Sequence, residues 1–380
     1  GQFYFVQPGD NLYMVAGLFG FSAEELARAN RIPVTGQLPA GLRLYIPPQP
    51  KRPITSFAYI EPMGGTVSQG LVNAATKNSP YLTYLGLFSF SINRDGTLNP
   101  PPLGNLKDIA AENQTAPSLV VSNLEEGQFS TELVHIILTV QAVQNNLLDH
   151  IVNTAVNGGY RDVHFDLEFI PPEDREAYND FLRQVKARLS REGILLSTAL
   201  APKTSATQEG LLYEAHDYQA HGEIADFVVL MTYEWGYSAG PPMPVSPINE
   251  VRRVVTYALT EMPANKILLG QNLYGYDWTL PFVQGGEYAN ALSPQQAITL
   301  ARQQNAAIQY NDQAQAPYFH YYDEEGNQHE VWFEDARSIQ AKFNLIKEHH
   351  LLGIAYWKLG LAFPQNWLLL QDNFTINKLD

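Results

Sequence analysis

Four ionisable side chains occupy alternate positions in the stretch RDVHFDLEFI, from Arg161 to Ile170: Asp162, His164, Asp166 and Glu168. Between them run Val163, Phe165, Leu167 and Phe169. Strict alternation means a β-strand with one apolar and one ionisable face. Asp166 and Glu168 are two residues apart, which puts their Cα atoms about 6.6 Å from each other on one face. A carboxyl group whose pKa is lifted by burial can give and take a proton near neutrality, and a neighbouring carboxylate can balance a positive charge. Taken alone, the pattern fits a solvated edge strand or a buried structural ion pair as well. The deciding question is whether the ionisable face is enclosed, and that depends on the elements around it.

Seven further strand-like runs share the chain with this one. In order, the eight begin at Ile54, Tyr81, Ser118, Asp162, Ile194, Asp226, Ile267 and Leu352. Helical spacing follows most of them, as in DREAYNDFLRQVKARLSREG and SPINEVRRVVTYALTEM. Repeating βα units with apolar strands predict a parallel sheet, and eight of them an α/β fold closed as a (β/α)8 TIM barrel. Val163, Phe165, Leu167 and Phe169 would then face the helices and the ionisable column would face inward, where unpaired carboxylates cost several kcal/mol each. The rhythm breaks between the seventh and eighth strands, at about residues 279–335. There HYYDEEGNQHEVWF reads as a hairpin around Glu325-Gly326-Asn327, part of a small α+β insertion.

Ahead of the barrel, PPQPKRP (residues 47–53) reads as an extended linker, leaving residues 1–46 as a small βααβ unit and 54–380 as the barrel. Its second helix opens on Ser22-Ala23-Glu24-Glu25, which has the spacing of a capping box. With 24 basic against 39 acidic residues the chain carries a net charge of −15, which argues against nucleic acid or an anionic membrane as the main partner. No apolar run is long enough to insert in a membrane. There is no cysteine, hence no disulfide. No His/Asp/Glu spacing suggests a metal site, and no cofactor motif is present. The chain begins at Gly1, so a secretion signal is neither read nor excluded.

Residues VQPGDNLYMVAGLFGFSAEELARANRIP and LPAGLRLYIP together resemble a LysM module, a family that binds glycans containing N-acetylglucosamine. By that resemblance the ligand groove lies between the Asp10-Asn11-Leu12 turn and the Asn30 to Pro33 loop, with Ile32 and Pro33 contributing.

The barrel has its own resemblance. Phe165-Asp166-Leu167-Glu168 on the fourth strand, Met231-Thr232-Tyr233-Glu234-Trp235 on the sixth and Ala355-Tyr356-Trp357 on the eighth resemble glycoside hydrolase family eighteen, which includes chitinases and N-acetylglucosaminidases. The family's signature, Asp-Gly-x-Asp-x-Asp-x-Glu, is altered here: Arg161-Asp162 replaces the Asp-Gly pair and His164 the middle aspartate. On the sixth strand Glu234 replaces an aspartate.

The resemblance implies retaining, substrate-assisted hydrolysis. Glu168 would be the acid and then the base, Asp166 would orient the substrate's 2-acetamido group, Tyr233 would donate to its oxygen and Trp357 would floor the sugar. Met231, Glu234, Trp235, Gln271, Tyr274, Asn123, Phe90 and Tyr59, near the expected C-terminal strand ends, would add substrate contacts. His164 has two readings: a tuner of Asp166, by a hydrogen bond or a charge, or an interior histidine satisfied elsewhere. LysM joined to this barrel resembles bacterial spore-cortex and cell-wall N-acetylglucosaminidases, which implies peptidoglycan as substrate and an extracytoplasmic location at the cell wall or the spore cortex or coat. Chitin is the rival substrate, and a non-catalytic glycan-binding or coat protein the rival of another class.

Overall fold

The computed structural model describes residues 1–379, in two compact units that divide at Arg52 and Pro53. In the smaller unit, strand Gln2–Phe5 pairs antiparallel with Arg43–Ile46. Helices Leu12–Leu18 and Ala23–Asn30 cover one face of this ribbon. Val6, Leu12, Val15, Ala16, Leu26, Leu44 and Ile46 form the core. The second helix has the expected capping box: Ser22 Oγ accepts from Glu25 N, and Glu25 Oε2 accepts from Ser22 N. Gln49, assigned by sequence to an extended linker, instead donates to the carbonyls of Phe19 and Gly20.

The larger unit is a closed barrel of eight parallel strands: Arg52–Ile60, Tyr84–Ile92, Ala116–Ser122, Asp162–Asp166, Leu195–Leu200, Phe227–Leu230, Ile267–Asn272 and Gly353–Trp357. Each pairs with the next in chain order, and the eighth pairs with the first. Gly353 permits that closure, because a Cβ there would lie 1.8 Å from Thr55 O. Phe57, Tyr59, Tyr84, Phe88, Val120, Phe227, Val229, Leu268 and Ala355 fill the interior. Val163, Phe165 and Leu167 pack outside, as the alternation predicts. They meet helix Arg175–Arg191, whose Tyr178, Phe181, Leu182, Val185 and Leu189 recur at helical spacing and are buried. Phe165 meets Phe181 edge-on at 5.8 Å. Enclosing one such ring contributes about 2–3 kcal/mol, which helps hold the fourth strand's parity.

Three expectations need correction. The fourth strand ends at Asp166, not Ile170, and Phe169 takes a left-handed φ of 56° and is only partly buried. A register shift between Leu87 and Phe90 turns Phe90 to the outer layer, although sequence placed it near the cleft. The seventh run, ILLGQNLYGYDW, is two strands. The barrel strand stops at Asn272, and Gly275–Thr279 opens the insertion. The inserted sheet runs in the order 290–292, 275–279, 328–332, 316–322, 309–311, with helix Pro294–Gln303 beside its sequence. The predicted hairpin is present, with Tyr322 paired to Gln328 and the Asp323 carboxylate accepting from the backbone of Glu325 and Asn327.

Candidate active site

Asp162, His164 and Asp166 project into the barrel and are buried, and Glu168 follows at the rim, partly buried. The Asp166 and Glu168 carboxyl groups are near enough for each to shift the other's proton affinity. Burial lifts Glu168 well above the usual carboxylate range, and the Asp166 charge lifts it further. Burial raises Asp166 as well, while Glu168 lowers it. Two interacting buried carboxyl groups do not both ionise near neutrality. The proton therefore resides on Glu168, and Asp166 is the anion.

Beneath them lies a directional chain of hydrogen bonds. Ser118 Oγ and Ser197 Oγ donate to Asp162 Oδ2 at 2.6 and 2.8 Å. Since the Ser197 proton goes to Asp162, His164 Nδ1 donates to Ser197 Oγ, 2.8 Å away. Its Nε2 then accepts from Tyr59 Oη at 2.7 Å. Burial pushes His164 down to about 3, so the ring is neutral. The expectation that His164 tunes Asp166 directly is corrected: both ring nitrogens are bonded elsewhere and the ring carries no charge. The plainer reading, an interior histidine satisfied by its neighbours, describes it. Tyr59 is likewise buried with its hydroxyl committed, so it supports the site from below.

Asn123 also departs from expectation. Its side chain is fully buried at the end of the third strand. Oδ1 accepts from Glu168 N at 3.0 Å, and Nδ2 donates to Glu168 O at 2.8 Å and Ser130 O at 3.1 Å. Every polar group is spent on backbone, leaving none for substrate. On the other side, His216 Nε2 donates to Leu167 O at 2.9 Å while its Nδ1 accepts from Ala201 N. Consecutive peptides around Glu168 are thus clamped from two directions. Sequence reading missed His216, Ser118 and Ser197: the serines lie inside the third and fifth strands, and His216 stands just ahead of helix Tyr218–Ile224.

Tyr233, past the sixth strand, is partly buried, and its hydroxyl is pushed up by burial and then by the charge of Asp166. Gly270 leaves it room, since a Cβ there would lie 3.0 Å from Tyr233 Cε1. Trp357 is partly buried, with ring centres 5.2 Å from Tyr59 and 4.8 Å from Phe88. Met231 is partly buried, and its N–H donates to Leu200 O. Glu234 has a φ of 67° and accepts from the hydroxyls of Tyr274 and Tyr276, tying the sixth strand's end to the insertion.

Two expected contacts point elsewhere. Gln271 shares parity with Ile267 and Leu269 of the outer layer, lies beside Tyr356 and donates to Asn272. Trp235 packs against that same outer core.

In the small unit most expected groove side chains have structural duties. Asp10 accepts from Tyr4 Oη and Gln7 N. Asn11 caps the first helix through Met14 N, and Leu12 is core. Asn30 pairs with the backbone of Tyr45 in both directions. Ile32 packs on the core, while Pro33 is exposed.

A barrel with its acidic pair at the C-terminal end of a strand is the layout of a barrel enzyme, and a family profile agrees. Glycosyl hydrolases family 18 matches residues 61–362 and the LysM domain residues 4–47. The chain belongs to glycosyl hydrolase family 18 and carries a LysM domain. It is 63% identical over 332 residues to the cortical fragment-lytic enzyme of Bacillus subtilis (strain 168), covering 87% of this chain and 77% of that one. The crystal structure of the Bacillus cereus spore cortex-lytic enzyme SleL superposes with a TM-score of 0.94 at 52% identity, over 100% of this chain and 87% of that one. A chitinase from Chromobacterium violaceum ATCC 12472 shares the fold, with a TM-score of 0.77 at 22% identity over 84% of this chain and 98% of that one.

Proposed function

We propose that the chain hydrolyses the β-1,4 bond after N-acetylglucosamine in spore-cortex peptidoglycan, with retention of configuration. The observation that carries the chemistry is the place of Asp166, two residues before Glu168 at the end of the same strand, where each carboxyl shifts the other's proton affinity. A second carboxylate acting as nucleophile would have to stand across the sugar ring, about 5–5.5 Å from the acid. Asp166 instead comes from the same strand end as the acid, two residues before it, so the attacking group comes from the substrate's own 2-acetamido oxygen.

Glu168 protonates the leaving oxygen, then takes a proton from water in the second step. Asp166 accepts from the acetamido N–H and balances the cyclic cation. Tyr233 donates to the acetamido oxygen as it attacks, and Trp357 lies under the ring. The likeness to cortex-lytic enzymes supports the substrate, and the LysM domain supports tethering to the polymer, which raises local substrate concentration without a new contact at the reacting bond. Action at the cortex or cell wall follows from that substrate, and no helix among the described residues is long and apolar enough to cross a membrane.

Product release from purified cortex peptidoglycan, compared with chitin, tests the substrate. Glu168→Gln should lower turnover by at least about 100-fold while the protein still sediments with insoluble glycan. Full activity in that variant refutes the acid assignment. An undiminished rate on de-N-acetylated substrate refutes the acetamide's part.

A further inference from the structure

The outer face of the small unit's two-stranded ribbon has no covering element within that unit. Residues alternate along both strands, so one side buries Val6, Leu44 and Ile46 and the other presents Phe3, Phe5, Arg43 and Tyr45. Phe3 and Phe5 are more than half exposed, at 55% and 56%. Tyr13 on the first helix is also exposed, but Phe3, Phe5 and Tyr45 share one face of the ribbon, and such a contiguous patch calls for a partner. Phe3 and Tyr45 are cross-strand partners with ring centres 5.7 Å apart. The Arg43 guanidinium lies 4.5 Å over the Phe3 ring. Arg43 forms no ion pair among the described residues. A guanidinium placed over a ring keeps its N–H donors, which suit a carboxylate.

Charge gives the sign of the partner. Residues 1–52 hold five basic and three acidic side chains, a net of +2. The remaining residues hold 19 basic and 36 acidic side chains, a net of −17. The small unit is the cationic end of an acidic protein and suits an anionic polymer.

We infer that Phe3, Phe5, Arg43 and Tyr45 form a second glycan-binding face, distinct from the groove beside Pro33, for N-acetylated polysaccharide strands bearing carboxylates. The rings take the apolar faces of successive sugars. Arg43 takes a carboxylate of the lactyl or peptide substituent. This rests on the peptidoglycan reading above and adds a surface that distinguishes an acidic glycan from a neutral one.

The test measures sedimentation of the full chain in the Glu168→Gln background with insoluble cortex peptidoglycan and with chitin. Phe3→Ala/Phe5→Ala should weaken binding to both by roughly tenfold, a change of about 1.4 kcal/mol. Arg43→Gln should weaken binding to peptidoglycan, leave chitin binding unchanged and flatten the salt dependence on peptidoglycan. Melting temperatures should hold, because all three side chains are exposed. Undiminished binding by the double variant overturns the inference. So does a change from dimer to monomer with no loss of glycan binding, which would assign the face to a second copy of the chain. Turnover of peptidoglycan by the unsubstituted protein, read alongside, reports separately on the function proposed above.

Discussion

Asn123→Ala would test whether backbone clamping places the acid. The substitution removes three hydrogen bonds, two to the Glu168 peptide and one to Ser130 O. Each is worth about 1 kcal/mol net, and leaving the Glu168 N–H unpaired adds about 1–3 kcal/mol. The expected loss of stability is about 4–6 kcal/mol, enough for a clear fall in melting temperature. The chemical step should suffer separately: a shift of about 1 Å in the acid costs on the order of 100-fold in rate. Because Asn123 touches only backbone and not substrate, kcat should fall and KM should hold. Steady-state kinetics on a soluble N-acetylglucosamine oligomer at a temperature where the variant is folded separates the two effects. Asn123→Asp keeps the acceptor for Glu168 N but loses both amide donors, and it adds a negative charge beside the pair. It should retain more stability than the alanine variant and shift the alkaline limb of the kcat profile upward. Wild-type kcat in the folded alanine variant would refute the clamp.

Other changes probe the same layers. Tyr233→Phe should lower kcat by about 10- to 100-fold with little effect on melting; an equal loss on a substrate without the acetamide would contradict its role. His164→Leu leaves the Tyr59 and Ser197 hydroxyls without their buried partner and should cost about 2–4 kcal/mol in chemical denaturation. Because the ring is already neutral, the wild-type rate should show no histidine limb between pH 5 and 8. Asp162 is pushed up to about 7, mainly by burial, from an ordinary value of 3.8. Its protonated form is favoured in the fold, so its contribution is fully present below pH 4 and is lost as pH rises to about 7. Asp162→Asn should therefore flatten the decline in melting temperature across that window, and an unaltered slope would count against the assignment.

Much of this architecture could be read from alternation alone. Val163, Phe165 and Leu167 against Asp162, His164 and Asp166 specify an enclosed strand once eight βα units are recognised. Boundaries were harder, because aromatic alternation runs straight through Tyr274, Tyr276 and Trp278, and nothing local marks the change from barrel to inserted sheet. Gln271 was misread for a related reason: its place near a strand end suggested substrate, while its parity with Leu269 put it among the helices. Polar residues near strand ends resist reading most. Asn123 can serve substrate or backbone equally well by type, and only the fold reveals that Glu168 N and O lie opposite its amide. The same holds for Asp10, Asn11 and Asn30, whose side chains turned out to build their own turn, cap and sheet edge.

Asn123 and His216 grip main-chain atoms only, so the position they fix is indifferent to the side chain at 168. Replacing that carboxyl with an amide or a methyl leaves the grip whole and the floor in place. Such proteins should hold an uncut strand in register, giving ready-made traps for soaking, for affinity capture of cortex fragments, and for seeing which bond lies poised to break.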